Sequence, residues 1–334
     1  MKTKAIVIPA ANTVEVREVE LKPVGTEDVL IKTRLTSISA GTERMLLKGV
    51  MPHPMLQFPV VPGYETVGEV IETGDGAREW LGKRVYVGGN YGFIGVNPAF
   101  GGQSEYIVAP KTHLTDLQIL SDEQGVLLAL TATALHGIEV AGLQVGKLEG
   151  SNVTNLPTCK PANVLVLGQG IVGQLAARIA KARGAQVTVT DKEAARLRYS
   201  QADVILSTAS DVPMAEGLKD VKDIEVLIDA TGKMEAIAPM LMRMKRGGRV
   251  VLLGYYDAIN LPYQPVFLRE LTLVSSMQWA PGDVVRARDL LMRNAIETSS
   301  LITHRMKADD AAQAFDVAMN DVGCVKMVLE WQKT

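Results

Sequence analysis

The chain has 334 residues, 47% hydrophobic and 22% charged, which is ordinary globular composition but more chain than one hydrophobic core usually serves, so two domains are expected. Thirty-five Lys and Arg face 37 Asp and Glu, a formal charge of −2, and this balance argues against general attraction to nucleic acid or to an acidic surface. The partner expected from this is a small molecule.

The opening MKTKAIVIPA holds an apolar run too short for a signal-peptide core or a membrane span, and a cytoplasmic protein is expected. From Lys4 to about Ala109, the runs KAIVI, VEVREVEL, DVLIKTRLTSIS, ETVGEVIETG, KRVYVGG and QSEYIVAP are broken by Gly and Pro and read as strands. GTERMLLKG can form a short helix between them, while VMPHPMLQFPVVPGYE carries too many prolines for regular structure and reads as a loop near a site. SDEQGVLLALTATALHGIEVAGL has helical spacing, with Ser121 as N-cap and Gln124 three residues on. Residues 142 to 162 form a polar connection. Beyond them NVLVLG, QVTVTD, DVILS, EVLIDATG and GRVVLLGYY alternate with helical stretches, the pattern of a parallel sheet covered by helices. DVVRARDLLMRNA and DDAAQAFDVAMN are helical in spacing, and CVKMVLEW ends the chain as a strand that can return to the first domain. The fold class is therefore α/β: a strand-rich domain of residues 1–125 and 276–334, and a doubly wound domain of residues 126–275. Cys159 and Cys324 lack the paired spacing of a zinc or redox motif.

Gly168, Gly170 and Gly173 follow the strand NVLVL and open the helix QLAARIAKARG. The first allows the tight turn, the second lets backbone approach a pyrophosphate, and the third permits close packing of helix on strand, with Ile171 and Val172 in the first helical turn. Asp191 ends the next strand, where a carboxylate binds ribose hydroxyls and repels a 2′-phosphate, so NAD is expected. Lys192 and Arg196 leave NADP open, since either cation could serve a phosphate. DATG (Asp229 to Gly232) and LGYY (Leu253 to Tyr256) end later strands on the ligand-binding edge and make Thr231 and Gly254 cofactor candidates.

Over nearly its whole length this sequence resembles the medium-chain dehydrogenase/reductase superfamily, whose first domain is GroES-like and whose second is a Rossmann domain. AGTE (Ala40 to Glu43) is similar to its CGTD segment, PGYETVGEV (Pro62 to Val70) to PGHExxGxV, and LITHR with the following AAQAF to its closing segment. Zinc-dependent members hold their metal with the Cys, the His and a third Cys or Glu before the second domain; here those positions read Ala40, Tyr64 and approximately Ala129. The four-cysteine structural lobe is missing as well, because residues 80 to 115 contain no Cys. The resemblance thus implies a member without metal. GTERMLLKGVMP, FPVVPGYETVGEV, FGGQSEYIVAP, LLALTATALHG, LITHR and CVKMVLEW are similar to the 3-(1-hydroxyethyl)bacteriochlorophyllide a dehydrogenase (BchC) family. That resemblance implies oxidation of a secondary alcohol on a chlorin ring to an acetyl group, with NAD as acceptor.

The resemblance makes Thr42 the relay hydroxyl of zinc relatives, although a Thr there could equally cap the following helix. Tyr64 replaces a substrate-facing ligand, and its phenol could bond the reacting oxygen or merely fill volume. Glu43 and Glu65 match carboxylates that flank the metal in relatives and read as supporting groups. His53 is a candidate pocket residue, His113 carries no role, and His136 and His304 read as architectural. Lys326 resembles a basic position that reaches the coenzyme pyrophosphate, or is a solvated lysine. For the apolar ring of a chlorin, Met45, Met51, Met55, Phe58, Tyr91, Phe93 and Trp279 are available, with Arg44 or Lys48 for its propionate. Two other readings remain: a zinc-free quinone, enone or polyol reductase, and a dinucleotide-binding protein without catalysis. A homodimer also stays open.

Overall fold

The structure is a computed structural model that describes residues 1–52, 56–90, 92–143, 162–208 and 214–331. His53, Met55, Tyr91, Cys159 and most of the connection at 142–162 lie outside the described residues. The chain divides into two compact units, Met1–Ala129 with Thr298–Thr334, and Leu130–Glu297.

The first unit is built on β1 (Lys2–Val7), β2 (Glu15–Leu21), β3 (Asp28–Ile38), β4 (Val60–Val61), β5 (Thr66–Thr73), β6 (Arg84–Val87), β7 (Phe93–Ile94), β8 (Asn97–Pro98), β9 (Tyr106–Pro110) and β10 (Leu114–Asp116). β3 is the organising strand, because it pairs antiparallel with both β5 and β9. The proline-rich stretch is less irregular than expected. Val60 and Val61 form β4, which pairs parallel with β8, since two buried β-branched residues still satisfy a short ladder between prolines. Helix α1 (Ala40–Leu47) follows β3 directly.

Ser121 caps α2 (Asp122–Val126) in a reciprocal box: its hydroxyl accepts from Gln124 N at 3.2 Å, and Gln124 Oε1 accepts from Ser121 N at 3.1 Å. The single helix expected there breaks at Leu127, and α3 (Leu128–Val140) continues. Gly125, a poor helix residue, lies just before the break.

The second unit holds β11 (Asn163–Leu167), α4 (Ile171–Ala182), β12 (Gln186–Asp191), α5 (Ala194–Leu197), β13 (Val204–Ser207), α6 (Met214–Gly217), β14 (Ile224–Asp229), α7 (Met234–Ile237), β15 (Met244–Leu252), α8 (Tyr263–Leu268), β16 (Thr272–Ser275) and α9 (Asp283–Met292). The strand order β13-β12-β11-β14-β15-β16 is parallel throughout and reverses direction between β11 and β14. The two innermost strands, β11 and β14, carry mostly buried apolar side chains, as a sheet covered on both faces requires.

α9 belongs to this second unit, so the division falls at 297/298 where the sequence suggested 275/276. Its first residue, Asp283, is fully buried and faces His136 Nδ1 at 3.2 Å, and Arg286 bonds Glu139 at 2.7 Å, tying α9 to α3. Strand β17 (His304–Lys307), helix α10 (Ala311–Asn320) and strand β18 (Met327–Glu330) return to the first unit. There β18 lies between β3 and β17, antiparallel to one and parallel to the other. Phe315 of α10 joins Ile6, Ile38, Leu46, Met327 and Leu329 in one buried cluster. Each such side chain removed from water stabilises the unit by about 1.5–3 kcal/mol, enough to seat β18 and the groups it carries.

Candidate active site

In the second unit the strands end along one edge, where the ladder continues through Gly168 N to Thr190 O, Ala230 N to Leu167 O, Leu253 N to Asp229 O and Ser276 N to Leu252 O. Open parallel sheets bind ligands beyond this edge, at the point of reversal. Gly168 has φ +87, a conformation that favours glycine, and makes the turn out of β11. A Cβ on Gly173 would lie 1.9 Å from Gly168 O, so only glycine lets α4 pack this close. A Cβ on Gly170 would meet nothing within 4 Å, so that glycine leaves space above the N-terminus of α4.

Asp191 does two structural jobs. Its Oδ2 accepts from Gln169 N at 2.6 Å, and its Oδ1 accepts from Glu193 N at 2.8 Å, so the carboxylate binds the glycine turn to β12. Each oxygen keeps a second lone pair for a ribose hydroxyl. Lys192 is exposed, its Nζ 3.6 Å from Glu193. Thr231 Oγ1 donates to Asp229 Oδ1 at 2.6 Å, and Gly232 N and the Tyr256 hydroxyl donate to Oδ2. Burial raises the Asp229 carboxyl above its ordinary range despite these donors. The DATG and LGYY turns are thus one hydrogen-bonded corner, with Gly254 packed on Gly232. That this corner would be held by Asp229 and Tyr256 had no signal in local sequence, because the pair meets across two strands.

In the first unit α1, the GYE turn before β5 and β18 bring together a buried polar cluster. Tyr64 Oη lies 2.6 Å from Ser39 Oγ and 3.4 Å from Thr42 Oγ1. Its ring meets Phe100 edge-on at 5.0 Å. Burial, then the negative charge of Glu65, raises the phenol above its ordinary pKa and keeps it neutral across the physiological range. Glu43 is wholly buried; its Oε2 accepts from Ser39 N at 3.0 Å, and burial followed by repulsion from Glu65 pushes its pKa to about 8. Glu65 Oε2 takes bonds from Lys326 Nζ and the Ser37 hydroxyl, while its Oε1 is buried without a hydrogen-bond partner. Lys326 Nζ also donates to Ile38 O at 3.0 Å. Gln103 links the cluster onward, donating to Ser37 O at 3.0 Å and accepting from Thr36 Oγ1 at 2.6 Å.

Thr42, Tyr64, Glu43 and Glu65 are therefore together, and Ser37, Ser39 and Gln103 join them without having been anticipated. Ser39 lies next to the AGTE segment and Gln103 in the FGGQSEYIVAP segment, but a hydroxyl or an amide in a strand or loop carries no chemical signature until its partner is known. Two expectations need correction. Lys326 is 1% exposed and committed to Glu65, so it is neither a solvated lysine nor a cation presented to a pyrophosphate. Thr42 is the third residue of α1, and the cap position belongs to Ser39, so the capping reading of Thr42 fails.

The apolar candidates divide. Met51 and Phe93 are buried in separate core clusters, and Met45 and Phe58 pack against the first of these. Trp279 is half-buried. Arg44 donates to Met319 O at 2.5 Å, and Lys48 is exposed. His136 is held by Asp283, and His304 by Thr303 at 2.9 Å and Asp321 at 3.3 Å, as architectural residues would be. His113 is exposed. No helix of the described residues is long and apolar enough to cross a membrane.

Comparison with known proteins agrees with both halves. Residues 25–119 match the alcohol dehydrogenase GroES-like domain family, and residues 172–293 match the zinc-binding dehydrogenase family. The chain is 30% identical over 342 residues to the 2-desacetyl-2-hydroxyethyl bacteriochlorophyllide A dehydrogenase of Cereibacter sphaeroides, covering 100% of both chains. It is 30% identical to the enzyme of that name from Rhodobacter capsulatus, covering 99% of each. An alcohol dehydrogenase of E. coli CFT073 complexed with NADH superposes with a TM-score of 0.83 at 23% identity, over 98% of this chain and 99% of that one. A Sinorhizobium meliloti 1021 protein described as a zinc-binding dehydrogenase, bound to NADP, superposes at 0.81 with 25% identity, over 99% of each.

The zinc ion implied by one family description can be tested against the donors present. Ala40 offers none, Tyr64 Oη is bonded to Ser39, and Glu65 Oε2 is taken by Lys326 and Ser37. Among the described residues no group of three or more His, Cys, Asp or Glu is placed to hold a metal ion. Among the described residues, the three protein ligands of a catalytic zinc are not assembled. A nicotinamide dinucleotide does fit: the glycine cradle, the N-terminus of α4 and the Asp191 carboxylate are in the arrangement it needs.

Proposed function

Because this chain belongs to the bacteriochlorophyllide dehydrogenase family within the medium-chain dehydrogenase/reductase superfamily, we propose that it oxidises the 3-(1-hydroxyethyl) group of a bacteriochlorophyllide to 3-acetyl, with NAD and without zinc. The observation that carries the substrate is the relation to two such enzymes along the whole of the chain. Bound NAD would supply the hydride acceptor. Gly168, Gly170, Gly173 and the N-terminus of α4 would hold its pyrophosphate, with Thr231 and Gly254 beside it, and Asp191 its ribose hydroxyls. The negative charge of Asp191 favours NAD over NADP, whose 2′-phosphate it repels.

Tyr64 and Thr42 take the part that a metal plays elsewhere. A neutral phenol and a threonine hydroxyl can each hydrogen-bond the substrate oxygen as its proton passes to water and charge develops. Glu43, Glu65 and Lys326 support these groups from behind, balancing charge and holding the turn that carries Tyr64.

The test is an absorption spectrum of 3-hydroxyethyl bacteriochlorophyllide incubated with the protein and NAD. Conjugating a new carbonyl with the ring should move its long-wavelength band, and NADH should form in equal amount. Elemental analysis should find no stoichiometric zinc, and turnover should survive chelation. A tightly bound zinc whose removal abolished turnover would overturn the metal-free reading. Turnover of a quinone or enone with NADPH, and none of the alcohol with NAD, would favour a reductase.

A further inference from the structure

Ser39 stands at the N-cap of α1, where a serine hydroxyl ordinarily accepts from a backbone N–H in the first helical turn. Here it makes no such bond. Its hydroxyl instead lies 2.6 Å from Tyr64 Oη, within the range of a strong O–H···O bond, while Thr42 Oγ1 at 3.4 Å is beyond it. Ser39 is 7% exposed and its main chain is fixed at both ends, since Glu43 N donates to Ser39 O at 2.8 Å and Ser39 N donates to Glu43 Oε2 at 3.0 Å. Phe100 and the bond from Tyr86 Oη to Tyr64 O hold the ring and backbone of Tyr64. Of the two hydroxyls beside the phenol, Ser39 is the nearer and so the better placed to set the direction of the phenolic hydrogen.

We propose that Ser39 is a positioning residue that sets the hydrogen-bond direction of Tyr64. This deepens the proposed function and rests on its reading that Tyr64 bonds the reacting oxygen. A phenol has one hydrogen and two lone pairs, so giving the hydrogen to Ser39 leaves the lone pairs for an alcohol that must donate. Once the alcohol's proton has passed to water and the ketone has formed, Ser39 donates to Tyr64, and the phenolic hydrogen turns to the carbonyl oxygen. A serine hydroxyl can do both, so the pair serves either direction of the reaction without moving a heavy atom. Alanine removes both roles, and threonine keeps them.

The experiment combines kinetics with a spectroscopic reading of Tyr64. Protein labelled with ¹³C at the tyrosine ζ carbon reports each phenol's hydrogen bonding, and the Tyr64 resonance is assigned by its loss in Tyr64→Phe. Ser39→Ala should move that resonance and Ser39→Thr should restore it, while Thr42→Val should move it less. With 3-hydroxyethyl bacteriochlorophyllide and NAD, Ser39→Ala should lower kcat roughly ten- to a hundred-fold, as loss of an oriented polar contact does. The Kd of NAD and the melting temperature should stay near those of the unmodified protein, and Ser39→Thr should recover most of the rate. An unmoved resonance in Ser39→Ala overturns the assignment. So does full activity of Ser39→Ala alongside an impaired Tyr64→Phe, which leaves the role of Tyr64 standing. Full activity of Tyr64→Phe removes that role and this proposal with it.

Discussion

Replacing Lys326 by methionine should unfold the first unit more readily by about 3–5 kcal/mol at neutral pH, the cost of leaving one partner of a buried ion pair uncompensated. The structure says where that energy goes. The two side chains are 1% and 0% exposed, and Glu65 Oε1 already has no partner. Ile38 O loses its donor as well, worth about 1 kcal/mol. Glu65 in the variant can escape by taking up a proton. For a carboxyl with a solution pKa of about 4.3, that costs roughly 3.7 kcal/mol at pH 7 and only about 1 kcal/mol at pH 5. The deficit should therefore be largest at neutral pH and shrink toward pH 5, a signature that lost packing does not share. Urea unfolding followed by tryptophan fluorescence reads it, with Trp80 and Trp331 reporting the first unit. Adding Glu65→Gln should recover much of the loss. A deficit below about 1 kcal/mol at pH 7, one independent of pH, or a double variant equal to the sum of the singles would refute the reasoning.

Glu43, held near pKa 8 by burial, is protonated in the folded chain at pH values where the unfolded chain has lost that proton. Its contribution to stability is full below about pH 4.5 and declines as pH rises toward 8; Glu43→Gln should flatten that slope in a series of thermal melts. Gly173→Ala puts a Cβ 1.9 Å from Gly168 O and should lower the melting temperature and abolish NAD binding measured by calorimetry. Gly170→Ala, with open space around it, should leave the melting temperature unchanged and weaken NAD by roughly ten-fold or more, because the new methyl stands where the pyrophosphate approaches. Asp191→Ala should lower kcat/KM for NAD by roughly ten- to a hundred-fold, losing charged hydrogen bonds, and should improve the ratio for NADP. Equal use of NADP by the unmodified protein would contradict the role given to Asp191.

The second unit was largely legible in the sequence because its signals are local. The glycines, the strand before them, the helix after them and Asp191 fall within one β-α-β stretch, and their geometry follows from backbone sterics that any chain obeys. The Ser121 box was readable for the same reason, both of its bonds joining residues three apart. The strands of the first unit were readable as strands, and the missing metal ligands at Ala40 and Tyr64 were visible by resemblance, but the groups gathered around them were not. Ser39 meets Tyr64 across 25 residues, and Lys326 meets Ile38 across 288, once β18 has been inserted beside β3. Nothing in CVKMVLEW distinguishes a solvated lysine from a buried one, because that depends on which strand pairs with it. Met51 and Phe93, chosen for apolar character, proved to be core for a related reason: apolarity marks a side chain for burial but not what it is buried against. Local spacing determined the elements and the glycine turn. The charge of Glu43, the partner of Tyr64 and the burial of Lys326 were decided by tertiary structure alone, since desolvation and hydrogen bonding depend on distances between segments that the order of residues does not contain.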